Sequence, residues 1–233
     1  MTSAIIVAAG SGKRMNNARP KQYLDLAGLP VLSRTLMVFD DHPAVHMIFL
    51  VVAPEEISFC ESHILSTVAW KTEIMLIPGG KHRKDSVYEG IKAAQQRMDD
   101  HEIVLIHDGV RPFVSGEMIT DCIDCAAKWG ACIYGVPVSD TLKQVDSWGV
   151  IAGTVSRENV WMAQTPQAFS LKWIKDGFER VIEKGLLVTD DAAVLERCGK
   201  PVRILPGSKN NIKITTPEDL HFALFLLGEA GKS

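Results

Sequence analysis

Residues 4–32 read AIIVAAGSGKRMNNARPKQYLDLAGLPVL, an apolar run that leads directly into a loop rich in glycine and cations. The apolar run is typical of a strand buried on both faces. Gly10 and Gly12 allow backbone N–H groups to face an anion, while Arg14 and Lys21 carry charges that bind phosphate oxygens. This stretch therefore predicts the first strand of an α/β fold, followed by a phosphate-binding loop.

The same residues exclude two common phosphate-binding motifs. A Walker A loop requires Gly-Lys-Ser/Thr, which this stretch lacks, and the dinucleotide-binding fingerprint requires a third glycine where the chain has Met15. A glycine pair after a strand also occurs as a simple tight turn, and on this motif alone that alternative stays open.

Beyond this loop, short apolar runs alternate with segments of helical periodicity. Predicted strands cover residues 3–8, 47–53, 73–77, 103–107, 131–136 and 202–205, and predicted helices cover residues 31–40, 55–68, 85–98, 116–129, 171–183, 190–198 and 217–227. This alternation predicts a mostly parallel sheet between helices, a three-layer Rossmann-like α/β sandwich. Because ligands bind at the carboxyl ends of parallel strands, the loops that follow the strands are the expected site.

One segment breaks the alternation. Residues 141–169 carry turn signals at Asp146-Ser147-Trp148-Gly149 between strand-like flanks, which predicts a protruding β-arm inserted into a single domain of residues 1–233. A lone hairpin is only marginally stable in water, so the apolar residues of the arm favour packing against a second copy of the chain. We therefore predict a homodimer.

The net charge and the distribution of apolar residues indicate which classes of protein the chain does not belong to. The 233 residues carry a formal net charge of -3, so the chain has no basic surface for general nucleic-acid binding. No apolar stretch reaches the roughly 18 residues of a membrane helix, and the N-terminus lacks a signal-peptide pattern. These features predict a cytoplasmic protein that binds neither nucleic acid nor membrane.

The cysteines are scattered, and Cys122 and Cys125 are predicted to pack in a helix rather than to bind a metal.

Five motifs resemble, in their order, those of the sugar-phosphate nucleotidylyltransferases. They read AAGSGKRM with PKQY, PGGKHRKDSVYEGIKAA, IHDGVRPFVS, TVSRENVWMAQTPQAF and NNIKITTPEDL. The PKQY variant and the later motifs are similar in particular to the 2-C-methyl-D-erythritol 4-phosphate cytidylyltransferase family, and the resemblance covers residues 5–220. It implies a nucleotidyltransferase fold with a dimerisation arm.

The resemblance also implies roles for individual residues. The implied catalytic cations are Arg14, Lys21, Arg157 and Lys213. The implied nucleotide contacts are Ala8, Ala9, Gly10, Gly12, Gly80, Ser86 and Asp108. The implied contacts to the acceptor are Arg111, Thr141, Arg157, Thr165, Thr189 and Lys213, with Arg157 and Thr165 supplied by the neighbouring subunit of a dimer with shared active sites. Asp108 is also the implied ligand of Mg²⁺.

Residue type alone leaves other interpretations of these positions open. A carboxylate placed like Asp108, directly after a buried strand, also serves to cap the following turn. Arg157 on a hairpin and Lys213 in a short strand also fit ordinary solvated charges.

The implied reaction transfers CMP from CTP to 2-C-methyl-D-erythritol 4-phosphate and releases pyrophosphate, a step of the non-mevalonate isoprenoid pathway. Two alternatives stay open at this point. A cytidylyltransferase for another polyol phosphate, such as ribitol 5-phosphate, shares the first loop and the NIKITTP segment. A non-catalytic nucleotide-binding protein is expected to lack Arg14, Lys21 or Lys213, and all three are present.

Overall fold

A seven-stranded sheet forms the body of the protein in a computed structural model that describes residues 1–10 and 20–230. The strands are β1 (Thr2–Val7), β2 (Asp25–Leu26), β3 (Leu29–Pro30), β4 (Met47–Val52), β5 (Glu73–Pro78), β6 (Ile103–Asp108), β7 (Ala131–Pro137), β8 (Leu142–Val145), β9 (Ile151–Val155), β10 (Trp161–Ser170) and β11 (Arg203–Pro206). The helices are α1 (Val31–Asp40), α2 (Ile57–Cys60), α3 (Arg83–Gln95), α4 (Gly116–Trp129), α5 (Leu171–Glu183), α6 (Asp191–Glu196) and α7 (Pro217–Ala230).

The order of strands in the main sheet is β11-β7-β10-β6-β1-β4-β5. Neighbouring strands are parallel except at β10, which is antiparallel to both β6 and β7. Each predicted strand is present within one residue at either end, and all of them belong to this sheet. The prediction of a mostly parallel sheet is therefore confirmed.

Side chains of β1 alternate between two hydrophobic cores, because successive residues of a strand point to opposite faces. Ala4 and Ile6 pack in one core with residues of α1 and α4, whereas Ile5 packs in the other with residues of α3, α5 and α6. Helices therefore cover both faces of the sheet, which is the predicted three-layer sandwich. Among the described residues, no helix is long and apolar enough to cross a membrane.

The predicted helix over residues 55–68 is wrong as a single α-helix. The segment consists of a 3-10 turn at Pro54–Glu56, the four-residue α2 and a π-helical turn at Glu61–Leu65. Serine hydroxyls bond backbone carbonyls one turn back here, for example Ser62 Oγ to the Ser58 oxygen at 2.8 Å, and such bonds compete with regular helical geometry.

The segment predicted as an arm, residues 141–169, contains two different features. Its first part is a hairpin, in which β8 pairs antiparallel with β9. Its last part is β10, which lies inside the main sheet between β6 and β7. The predicted arm is therefore too long at its C-terminal end, because a strand-like pattern alone does not reveal which sheet a strand joins.

Candidate active site

A cleft of about 850 Å³ opens at the carboxyl ends of β1, β4, β5 and β6, where ligands bind in open parallel sheets. Its walls are lined by Val7, Ala8, Ala9, Gly10, Lys21, Gln22, Ala53, Pro54, Glu55, Gly79, Gly80, Lys81, His82, Arg83, Ser86, Asp108, Val110, Lys213 and Thr215. The loops after β1, β4, β5 and β6 therefore meet in one place.

The loop after β1 is anchored at its base by Gln22. This side chain is buried, and its Nε2 donates hydrogen bonds to the backbone oxygens of Ala8 at 2.7 Å and Gly10 at 3.1 Å. One amide thereby ties the end of β1 to the segment that carries Lys21, which lines the cleft. Gly12 and Arg14, predicted to bind the nucleotide, lie outside the described residues.

The turn after β5 brings a second stretch of backbone against the first loop. A Cβ atom on Gly79 would lie 2.7 Å from Ala9 Cβ, 2.9 Å from Ser86 Oγ and 3.1 Å from the Val52 oxygen. Only glycine permits this approach. The Gly80 N–H donates to Ser86 Oγ at 3.1 Å, and Ser86 is buried, so this hydroxyl stabilises the turn. The turn lines the cleft and carries no side chain that would block the edge of a nucleobase.

Asp108, the last residue of β6, is surrounded by cations. Its Oδ1 accepts a hydrogen bond from Arg83 Nε at 3.1 Å, and its Oδ2 contacts Lys213 Nζ at 2.9 Å and Arg111 Nε at 3.5 Å. Asp108 is only 6% exposed. Burial alone would raise the pKa of its carboxyl, but the charges of Arg83, Lys213 and Arg111 outweigh burial and hold that pKa well below its usual range. The carboxylate is therefore ionised at physiological pH.

The segment that carries Lys213 is held against β10 and the loop after β6. Asn211 Nδ2 donates to the Thr165 oxygen at 2.8 Å, and Arg111 Nη1 donates to the Asn211 oxygen at 2.7 Å. Thr165 Oγ1 in turn accepts from the Asp108 N–H at 3.1 Å. These bonds fix the backbone beside Lys213, whose side chain is 36% exposed and reaches the cleft.

The chain as a whole matches one family model. Residues 2–229 match the model described as IspD, 2-C-methyl-D-erythritol 4-phosphate cytidylyltransferase. The chain belongs to this family. The family predicted from the motifs is therefore confirmed.

Individual members of the cytidylyltransferase family agree with this assignment. The chain is 42% identical over 230 residues to 2-C-methyl-D-erythritol 4-phosphate cytidylyltransferase of Syntrophus aciditrophicus, covering 98% of this chain and 97% of that one. It is 44% identical over 227 residues to the bifunctional enzyme IspD/IspF of Desulforudis audaxviator, covering 97% of this chain and 57% of that longer protein. The crystal structure of 4-diphosphocytidyl-2C-methyl-D-erythritol synthase from Anaerococcus prevotii superposes with a TM-score of 0.83 at 34% identity, covering 98% of this chain and 96% of that one. The predicted nucleotidyltransferase fold is confirmed.

Three of the residues predicted to bind the acceptor are exposed and do not line the main cleft. Thr141 and Arg157 are exposed near the hairpin, and Arg157 Nη1 donates to the Ser139 oxygen. Thr189 is exposed and lines a smaller neighbouring cleft of about 370 Å³, which shares His82 and Arg83 with the main one. Within the described part of one chain, these three residues therefore do not reach the main cleft.

Arg111 and Thr165 lie behind Asp108 rather than on the wall of the cleft. Thr165 is 4% exposed, and the side chain of Arg111 is 11% exposed. Thr165 accepts a hydrogen bond from the backbone N–H of Asp108, and Arg111 contacts its carboxylate, so together they hold Asp108 in place. Their direct contact with the acceptor stays a prediction.

Three residues that organise the site are not among the site residues predicted from the sequence. Gln22 anchors the first loop, and Arg83 donates through Nη1 and Nη2 to the carboxylate of Asp191 at 2.9 and 2.8 Å. Gln22 and Arg83 lie inside the PKQY and PGGKHRKDS motifs, so their place in a motif could have identified them as site residues. No sequence pattern indicated Asp191, because its partner, Arg83, lies 108 residues away in the chain.

The oxygen ligands of the cleft determine whether it fits Mg²⁺. The described residues contain no group of three or more histidine, cysteine, aspartate or glutamate side chains able to hold a metal ion. Asp108 lines the cleft, and its carboxylate is ionised at physiological pH because its pKa is lowered. Mg²⁺ in nucleotide enzymes is commonly held by one or two carboxylates together with substrate phosphates. A carboxylate at the cleft wall therefore fits an ion that arrives on a triphosphate, and the role of Asp108 as its ligand stays a prediction.

Proposed function

We propose that the protein transfers the CMP group of CTP to 2-C-methyl-D-erythritol 4-phosphate, forming 4-diphosphocytidyl-2-C-methyl-D-erythritol and pyrophosphate. The predicted enzyme class, a cytidylyltransferase of the non-mevalonate isoprenoid pathway, agrees with the family match. The observation that carries the mechanism is one cleft that is lined both by the Gly79–Gly80 turn and by two lysines, Lys21 and Lys213.

The chemistry requires no proton acceptor on the protein. An oxygen of the acceptor phosphate attacks the α-phosphorus of CTP, and the bond from that phosphorus to the oxygen of the β-phosphate breaks. The bonding electrons leave with pyrophosphate. A phosphate monoester has a second pKa of about 6, so its attacking oxygen is already anionic at neutral pH. The obstacle is the meeting of two anions, which positioning and charge neutralisation overcome.

The cations divide this work between the two substrates. Lys21, beside the first loop, stabilises the charge that develops on the α-phosphate and the leaving pyrophosphate, together with Arg14. Lys213, held by Asp108 at 2.9 Å, orients the attacking phosphate. Backbone groups of the Gly79–Gly80 turn receive the cytosine edge, because they are fixed in place and carry no side chain that would block the base.

Mg²⁺ is part of the proposal. Asp108 would hold the ion together with the triphosphate, and the ion would supply charge neutralisation. Chelation with EDTA is expected to abolish pyrophosphate release, and added Mg²⁺ is expected to restore it. Full activity in EDTA would remove the metal from the mechanism.

We also propose a cytoplasmic homodimer. The hairpin exposes large apolar side chains, with Val145, Trp148 and Ile151 at 54%, 88% and 60% exposure, and such a surface favours burial against another chain. Arg157 does not line the cleft of its own chain, so a neighbouring cleft is the available place for its proposed contact with the acceptor phosphate.

Incubation with CTP, Mg²⁺ and either 2-C-methyl-D-erythritol 4-phosphate or ribitol 5-phosphate tests the function. Pyrophosphate release and a mass-spectrometric product are expected with the first acceptor. Turnover of ribitol 5-phosphate alone would favour the other polyol reaction. Binding of CTP without turnover of either acceptor would indicate a nucleotide-binding protein.

A further inference from the structure

We propose that Asp191 is a positioning residue for the transfer reaction, and that it acts on Lys213 through Arg83 and Asp108. The inference rests on the proposed function, because Lys213 is the cation assigned to the attacking phosphate. Asp191 lies outside the main cleft and matches none of the motifs by which the chain was recognised.

The first link joins the beginnings of two helices. Asp191 is the first residue of α6 and is 1% exposed, and Arg83 is the first residue of α3. Arg83 Nη1 donates to Asp191 Oδ1 at 2.9 Å, and Nη2 donates to Oδ2 at 2.8 Å. Two parallel hydrogen bonds between planar groups fix the plane of the guanidinium, which a single bond does not do.

The second link passes this orientation to the active site. With Nη1 and Nη2 engaged by Asp191, the remaining nitrogen of Arg83, Nε, donates to Asp108 Oδ1 at 3.1 Å. Asp108 Oδ2 is thereby turned towards Lys213 Nζ, 2.9 Å away. The position of the lysine therefore depends on which oxygen of Asp108 the arginine occupies.

The balance of charges explains why Asp191 is needed. Arg83, Arg111 and Lys213 compete for Asp108. Without Asp191, Arg83 gains the freedom to take both oxygens of Asp108, because a guanidinium pairs with a carboxylate in two parallel bonds. Lys213 then loses its anchor. Asp191 thus keeps Arg83 in a geometry that leaves one oxygen of Asp108 for the lysine.

The experiment compares Asp191→Asn with a matched control, Asp190→Asn. Asp190 is the adjacent residue, and its carboxylate accepts from the Ala193 N–H at 3.0 Å and from Gln167 Nε2 at 3.1 Å. We expect kcat to fall by about 10-fold or more in Asp191→Asn, the scale for a misplaced catalytic group, with little change in the KM for CTP. Asp190→Asn is expected to keep near-normal kcat. Equal kcat values in the two variants would overturn the proposal.

A double-mutant cycle separates positioning from a general structural role. Asp191→Asn is measured in the wild-type chain and in a Lys213→Ala chain. If Asp191 acts through Lys213, Asp191→Asn is expected to lower kcat in the wild-type chain but to lower it hardly at all in the Lys213→Ala chain. If Asp191 only stabilises the fold, the same factor is lost in both backgrounds, and the proposal is wrong.

Arg83→Lys provides a second variant in case Asp191→Asn does not fold. A lysine keeps the charge but cannot bond both carboxylates with fixed geometry. The same fall in kcat and the same dependence on Lys213 are expected, and a folded Arg83→Lys protein with normal kcat would overturn the proposal. If Lys213→Ala itself turns over normally, the role of Lys213 in the proposed function fails and this inference fails with it. If only Asp191→Asn and Arg83→Lys turn over normally, this inference fails alone.

Discussion

Asp108→Asn keeps the size of the side chain but removes the negative charge that three cations share. Asp108 is 6% exposed and contacts Arg83 at 3.1 Å, Lys213 at 2.9 Å and Arg111 at 3.5 Å. Removing one partner of a buried ion pair typically costs about 3–5 kcal/mol, because the other charge stays buried without compensation. We expect the free energy of unfolding to fall by about that amount. Because Lys213 is partly exposed to solvent, we expect a loss in the lower part of this range.

The same substitution separates turnover from nucleotide binding. Without the carboxylate, Lys213 is no longer held, and turnover is expected to fall by about 10²-fold, the scale for losing one preorganised charge donor. The cleft becomes more positive, so CTP binding is expected to weaken much less than turnover. Pyrophosphate release gives the first quantity, and calorimetric titration with CTP gives the second.

The stability measurement has an internal control. Urea unfolding followed by circular dichroism is compared for Asp108→Asn and Asp176→Asn, since Lys172 and Asp176 form an ion pair of 2.9 Å in which the two side chains are 57% and 50% exposed. Exposed pairs contribute little, so the control is expected to unfold at the wild-type midpoint. If Asp108→Asn also unfolds at that midpoint and keeps its turnover, the reasoning about the charge cluster is refuted.

The dependence on pH follows from the lowered pKa of Asp108. A carboxyl whose pKa is lower in the folded protein contributes its full stabilisation above the pKa of the unfolded chain, about 3.9, and loses it as the pH falls towards the folded-state pKa. The difference in unfolding free energy between wild type and Asp108→Asn is therefore expected to stay constant from pH 7 to about pH 5 and to shrink below about pH 4. A difference that grows on acidification would contradict this assignment.

Three further predictions concern the cleft and the arm. Gly79→Ala is expected to raise the KM for CTP, because its Cβ would meet Ala9 Cβ at 2.7 Å, whereas the control Gly116→Ala, with its nearest contact at 3.7 Å, is expected to behave as wild type. Lys21→Ala is expected to reduce turnover by about 10²-fold in single-turnover assays, and near-normal turnover would remove it from the mechanism. Mixing the strongly impaired Arg157→Ala and Lys213→Ala proteins under subunit exchange is expected to restore up to about a quarter of the wild-type activity, since half of the dimers are mixed and one of their two sites carries neither change. A monomer by light scattering would exclude the shared site.

The sheet shows which part of the fold could be predicted from local sequence. Its parallel strands were recognised because strands buried on both faces read as unbroken apolar runs, and this signal lies within a few adjacent residues. The place of β10 could not be recognised in the same way. Its hydrogen-bond partners, β6 and β7, come from other parts of the chain, and strand pairing depends on those partners rather than on propensity.

The candidate site also contains residues that could be predicted from local sequence and contacts that could not. Lys21, Asp108 and Lys213 were identified because each lies beside a strand end or inside a motif, and the structure brings all three to one cleft. The sequence by itself therefore determined the fold class, the family and the residue types of the site. Only the tertiary structure decided that Arg83 is shared between Asp108 and Asp191, 108 residues beyond it in the chain. Such a contact depends on how the helices pack on the sheet, and no local pattern of residues records that packing.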